Sequence, residues 1–298
     1  MRILNIPEYL QLEREELDWI VPGLLARPSK TLILGGPKVG KSYLAFALAL
    51  AVSTGQPVFG APSIPSRVLL LQFDTSHGIW AKMIQKVAEE GHDITGHLYH
   101  VHPADLPHPP NILLPNVQEF IKLTLEKCRP DVVIVDVFRK IHTAGENDSQ
   151  QMTVVDHVLD MLFHDVAFIL LHHAKKVNPE FGDISPIEAS RGSSHIASMA
   201  DFIWYLTATK LTIVPRMDEP MTYGLKRLPS GLWSLDGKSE EDDLMARLEQ
   251  LCLSKPGLTK GAVFEACRED ILSLGISRAK YYRMLEGKFT GGIPSPGE

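Results

Sequence analysis

Eight residues, Gly35-Gly36-Pro37-Lys38-Val39-Gly40-Lys41-Ser42, constrain this 298-residue chain more than any other stretch. They satisfy G-x-x-x-x-G-K-[ST] and lie where that pattern has structural meaning, because an apolar run precedes them and a helical pattern follows. The glycines let successive backbone N–H groups turn inward around a phosphate, and the following helix adds the positive end of its dipole. Lys41 then supplies a mobile positive charge for the β and γ phosphates of a nucleotide. Ser42 offers a hydroxyl to Mg²⁺, which prefers hard oxygen ligands.

A loop of this kind needs a buried strand on one side and a helix on the other. The rest of the chain supplies both repeatedly. Thr31 to Leu34, Arg67 to Phe73, His97 to Val101, Val132 to Asp136 and Val166 to Leu171 are continuous apolar runs of strand length, suited to burial on both faces. Residues 41–53, 77–91, 115–128 and 148–163 carry helical patterns between them, with Pro115 and Ser149 near the starts. The expected fold is α/β with a mostly parallel central sheet. The Pro-rich stretch 103–115 reads as a surface loop.

Composition agrees with a water-soluble globular chain: 44% apolar and 22% charged residues exclude wholesale disorder. The net charge of -6 excludes a general polyanion binder, so any nucleic-acid contact has to come from local basic patches. Cys128, Cys252 and Cys267 have no metal or redox spacing, and the N-terminus has no secretory pattern, so a cytoplasmic protein is expected. The longest apolar run, Leu44 to Val52, is too short to cross a bilayer. His97, His100, His102 and His108 crowd one span, but no carboxylate or cysteine spacing turns them into a metal site.

Three further residues are candidates for chemistry at the loop. Asp136 ends an apolar strand, as does the second Mg²⁺-organising carboxylate in phosphate-loop enzymes. Asp74 follows the strand after the loop helix and is the leading candidate to orient an attacking water, although the same residue could cap the helix near His77. His172 and His173 end a later strand, where adjacent side chains point to opposite faces. Only one of them can face the γ-phosphate, and His173 is the choice.

These residues resemble the RecA-like ATPases of the AAA_25 type, which include plasmid replicative helicases of the RepA kind. The likeness spans roughly residues 17–236. It rests on Leu17-Asp18-Trp19 with Pro22-Gly23, on Ile134 to His142, on Glu146-Asn147-Asp148, on Leu171 to Lys175 and on Ser190-Arg191-Gly192-Ser193-Ser194, in addition to the loop. The resemblance implies a RecA fold, ATP and Mg²⁺ as ligands, and a homo-oligomer, a hexameric ring or a filament, acting on single-stranded DNA. By matching positions it makes Lys41 and Ser42 the phosphate and metal residues, Asp136 the second metal acid and His173 the sensor. Asp74 stands where the family usually carries Glu. Its carboxylate is withdrawn by one methylene, which implies slow or assembly-dependent hydrolysis.

The family also supplies a positive charge from a neighbouring subunit. Lys226 and Arg227, within Tyr223 to Gly231, fit a late strand and turn that project such charges in trans, and Arg191 is the rival. The position ten residues after Arg191, used by some replicative members, is Asp201 and cannot serve.

A composition shift at 237–243 marks a linker. The expected organisation is an N-terminal segment 1–30 packed on the core, an ATPase domain 31–236, the linker, and a small helical unit 244–298. Helices at 244–254, Thr259 to Cys267 and Ser277 to Gly287 give that unit a helix-turn-helix or winged-helix pattern. Residues 255–290 hold seven basic against four acidic residues, a local reversal inside an acidic chain. Arg278, Lys280 and Arg283 are its candidate DNA contacts. Arg139, Lys175, Lys176 and Arg191, in loops after the Asp136 and His173 strands, are the candidates on the core. The leading expectation is an ATPase that couples Mg·ATP hydrolysis to DNA binding, translocation or remodelling. The alternatives are a nucleotide-gated DNA-binding regulator or loader, and a protein assembly factor without nucleic acid.

Overall fold

The fold was analysed in a computed structural model, which describes residues 4–10, 17–94, 96–101, 105–174, 186, 194–237, 260–268, 271 and 281. After a short helix α1 (Ile6–Leu10), strands β1 (Asp18–Val21) and β2 (Leu25–Arg27) form an antiparallel hairpin. The core then runs β3 (Ser29–Gly35), α2 (Lys41–Thr54), β4 (Val68–Gln72), α3 (His77–Glu89), β5 (Leu98–His100), α4 (Pro115–Cys128), β6 (Val132–Asp136), α5 (Ser149–Phe163) and β7 (Ala167–His173). It ends with α6 (Ser194–Ser198), β8 (Phe202–Leu206), β9 (Lys210–Pro215) and β10 (Met221–Gly224). A further helix, α7 (Lys260–Ala266), follows.

The main sheet has the order β10-β9-β8-β3-β7-β6-β4-β5. From β8 to β5 all neighbours are parallel, and β9 and β10 add an antiparallel edge. The α/β class with a mostly parallel sheet is therefore the observed one. The strand that leads into the phosphate-loop motif, β3, lies inside the sheet between β7 and β8, paired on both sides.

Strand periodicity divides the core into two layers, since successive side chains point to opposite faces. Ile33, Val68, Leu70, Val132, Ile134, Ala167, Ile169 and Leu171 pack with α2, α3 and the β1–β2 hairpin. Leu32, Leu34, Leu69, Leu71, Val133, Val135, Phe168 and Leu170 pack with α4, α5 and α6. Each fully buried aliphatic side chain contributes roughly 1.5–3 kcal/mol relative to exposure. Helix α2 is apolar nearly all round because the sheet covers one side and the hairpin and later segments cover the rest.

Helix ends follow local chemistry. Asp148 caps α5 by accepting the N–H groups of Gln150 and Gln151, an arrangement that contributes about 1 kcal/mol. Pro115 opens α4, where its missing N–H is not needed. Gly55, at φ 75°, closes α2 by donating to Ala51 O. Ser76, not Asp74, occupies the N-cap position of α3, so Asp74 is not used as that cap.

The hairpin and strands β8 and β9 were not legible as separate elements in the sequence. The hairpin is short, and Ile20, Val21, Leu24 and Leu25 read equally as a loop with apolar anchors. In the C-terminal region the described helix α7 lies within the expected Thr259 to Cys267 segment, and Phe264 and Tyr281 meet edge to face at 5.1 Å. The expected helices at 244–254 and 277–287 lie outside the described residues, apart from Tyr281.

Candidate active site

The phosphate-loop motif turns sharply off the end of β3. Gly40 precedes α2 in a left-handed conformation at φ 103°, and Lys38 also has positive φ. A side chain at Gly35 would meet Leu206 O and Val39 Cγ1 at 2.9 Å, so only hydrogen fits where β3 runs beside β8. The ammonium of Lys41 donates to Gly35 O at 2.9 Å and Gly36 O at 3.0 Å and lies 3.4 Å from His173 Nδ1. Burial lowers the Lys41 pKa, while the Asp136 and Asp74 carboxylates oppose that shift.

The same period-two alternation that built the core builds the site. In β6 the series Val132, Ile134, Asp136 faces α2. In β7 the series Ala167, Ile169, Leu171, His173 does so, and in β4 Val68, Leu70, Gln72. Parallel strands deliver their C-terminal ends to one edge, so Asp136, His173 and Gln72 arrive beside the loop. His172 points the other way and packs edge to face on Phe138 at 5.5 Å.

Gln72 was not singled out from the sequence, yet it joins the parts. Its Nε2 donates to Asp136 Oδ2 at 2.7 Å, and its Oε1 accepts the N–H groups of Asp74 at 2.7 Å and Thr75 at 3.1 Å. The signal that could have found it is a polar residue on the loop-facing parity of an otherwise apolar strand. Burial raises the Asp136 pKa; hydrogen bonds from Ser42 and Gln72 and the charge of Lys41 oppose the rise, and Asp74 adds to it.

A buried carboxylate bonded to the Ser42 hydroxyl next to a lysine is an oxygen donor set that fits Mg²⁺. Among the described residues no group of three or more His, Cys, Asp or Glu side chains could by itself hold a metal. Asp74 is largely exposed, and its Oδ1 lies 4.0 Å from Lys140 Nζ.

Arg227, expected as a charge supplied in trans, lies beside the phosphate loop of its own chain. Its guanidinium is engaged with its own loop, donating to Val39 O at 2.7 Å and to Gly231 O. The cause is the turn after β10, which carries residues 227–233 back over the start of α2 rather than away from the subunit. Lys226, its neighbour, is exposed. Trp233, also not singled out, donates Nε1–H to Gly40 O at 3.1 Å. Arg139 turns back towards its own loop, 3.4 Å from the carbonyls of His142 and Ala144. Lys175, Lys176, Arg191, Arg278, Lys280 and Arg283 lie outside the described residues. Asp201, read as unable to be a finger, is structural: it accepts Lys30 N–H at 2.9 Å and pairs with Arg216 at 3.3 Å.

A family model described as an AAA domain, AAA_25, matches residues 5–179. No curated protein matches the sequence. Among solved structures, a KaiC-like protein from the hyperthermophilic archaeon Pyrococcus horikoshii OT3 is similar at 14% identity and a TM-score of 0.47, over 72% of this chain and 93% of that one.

Proposed function

We propose, from the premise that the chain belongs to the AAA_25 family and is a RecA-like P-loop ATPase, that it hydrolyses Mg·ATP as a homo-oligomer and couples the reaction to DNA. The observation that carries the catalytic half is the convergence of Lys41, Ser42, Asp136, Gln72 and His173 on one edge of the sheet.

In this reading the amides of the 35–42 loop wrap the phosphate tail, and Lys41 neutralises charge on the β and γ groups. Ser42 and Asp136 would hold Mg²⁺, which would withdraw charge from the phosphate oxygens. Asp74 orients a water in line with the γ-phosphorus; the new P–O bond forms as the bond to the β-bridging oxygen breaks, giving ADP and phosphate. His173, whose Nδ1 lies 3.4 Å from Lys41 Nζ, acts in this reading as the sensor of the γ-phosphate. The sequence-based core domain 31–236 cuts β3 and leaves out the hairpin that shares its core, so we take 17–236 as the working ATPase unit.

The DNA half is supported by the family resemblance and by the basic 255–290 segment. Turnover measured with and without single-stranded DNA tests both halves. Lys41→Ala should lose at least about 10² in turnover, and an unaffected variant refutes the active site. Wild-type protein that neither retains DNA nor is stimulated by it refutes the coupling.

A second reading, a nucleotide-gated regulator or loader with slow hydrolysis, is favoured by the short, exposed side chain of Asp74. Asp74→Glu separates the two, since a rise in turnover supports the switch and a fall supports a tuned motor.

A further inference from the structure

Residues 227–233 fold onto the outer turn of the phosphate loop from within the same chain. Arg227 and Trp233 form an antiparallel bridge, and the turn between them is closed by Gly231 N–H to Leu228 O and Leu228 N–H to Leu232 O, both 2.8 Å. The Arg227 guanidinium carbon lies 3.8 Å from the centre of the Trp233 ring and 5.4 Å from that of Tyr43. The guanidinium is thus stacked as well as hydrogen-bonded, which fixes its planar fork.

The two carbonyls held from outside are those of Val39 and Gly40; the second also accepts the helical N–H of Leu44 at 3.0 Å. A trans peptide is planar, with its C=O and the next N–H pointing in opposite directions. Holding Val39 O outward therefore aims Gly40 N–H inward, and holding Gly40 O outward does the same for Lys41 N–H. These are amides of the anion cradle itself. The close fit is visible at Gly40, where a Cβ would sit 1.8 Å from the Arg227 side chain.

We propose that Arg227 and Trp233 are positioning residues that act in cis, orienting the Gly40 and Lys41 amides for the phosphate tail of the nucleotide. The inference rests on the ATP site proposed above. A trans finger would act on the transition state and lower kcat at unchanged nucleotide affinity. A cis positioner of ground-state contacts weakens nucleotide binding and raises KM, and does so in dilute, unassembled protein.

The test is equilibrium binding of a fluorescent ATP analogue to the full chain, with steady-state turnover and melting temperature measured on the same preparations. Arg227→Ala should weaken binding by about 10- to 100-fold, the usual range for lost charge-assisted hydrogen bonds. Arg227→Lys should recover only part, because an ammonium cannot stack and bridge the Val39 and Gly231 carbonyls. Trp233→Phe keeps an aromatic face under the guanidinium and removes the bond to Gly40 O; it should weaken binding by about 2- to 10-fold, and it serves if Arg227→Ala does not fold. Mixtures of Arg227→Ala with Lys41→Ala protein should show no recovered turnover, because neither chain holds a complete cis set. Recovered turnover in the mixture, or wild-type binding by folded Arg227→Ala and Trp233→Phe, overturns the inference. Wild-type binding by Lys41→Ala instead overturns the site reading beneath it.

Discussion

Replacing Gln72 by leucine asks whether the buried amide serves the chemistry or only fills the core. At 2.7 Å the bond to Asp136 Oδ2 is in the short range of charge-assisted hydrogen bonds. Bonds of that type contribute about 1.5–3 kcal/mol. Leucine fills a similar space and removes the donor to Asp136 together with the acceptor for the Asp74 and Thr75 amides. Those two amides lie at the surface end of the strand and can turn to water. The carboxylate is buried and cannot, so the loss falls mainly on Asp136. Burial already raises its pKa, and losing the Gln72 donor removes one of the interactions that oppose the rise, so the charged form that binds metal becomes less favoured. At about 1.4 kcal/mol per factor of ten, the expected loss in Mg²⁺ affinity is about 10- to 100-fold, the range found for groups that orient metal ligands. Turnover titrated with Mg²⁺ at saturating ATP reads this directly. Binding of ATP in the presence of a chelator should change little. A folded Gln72→Leu protein with the wild-type Mg²⁺ requirement would refute the reasoning, because Gln72 would then be packing alone.

Other substitutions probe the same edge of the sheet and its neighbourhood. Asp136→Asn should abolish turnover and raise stability at neutral pH, read by urea denaturation, since burial raises the carboxyl's pKa in the folded chain, which loses stability as pH rises through the shifted range. Its expected signature is a stability difference that vanishes as pH falls below the ordinary carboxylate range. His142, buried against Phe138, has its pKa lowered to about 4 mainly by burial. Its contribution is fully present above the unfolded value of 6.5 and is lost as pH falls towards 4, about 2 kcal/mol by pH 5; His142→Phe should flatten that part of the pH–stability curve. Gly40→Ala combines a positive φ with a collision against Arg227, so ATP binding measured by fluorescence should fall about tenfold or more even where the protein folds. Adding Arg227→Ala should not restore it, because the backbone strain remains.

Much of this site could be read from the sequence. The 35–42 segment names its own structure because strand, glycine spacing and helix must occur together, and Val132 to Asp136 is a strand whose ends match the observed bounds. The apolar runs located five of the parallel strands. Phe202 to Leu206 and Lys210 to Pro215 escaped, since Tyr205, Thr212 and the charged Lys210 blur the alternation at the sheet edge. Gln72 escaped for a different reason: one polar residue inside the Arg67 to Phe73 run says nothing until the parity of its strand is counted. Arg227 was read as a charge projected towards a neighbouring subunit because nothing in Leu225 to Pro229 shows that the turn beyond it folds back on residues far earlier in the chain. That contact depends on Gly231 at φ 90° and on Trp233 finding Gly40, a long-range pairing without a local pattern.

The two-sided strands make the catalytic edge sensitive to insertions and deletions. Removing a single residue within β6 would bring Val137 to the place of Asp136, and within β7 it would move His173 to the place of His172 and Ala174 to that of His173, while the apolar runs on either side could still fill a hydrophobic interior. Such a chain could keep its melting behaviour and lose its chemistry. Length changes in this protein are therefore expected to be tolerated between strands and silencing within them, even where every individual amino acid of the site has been kept.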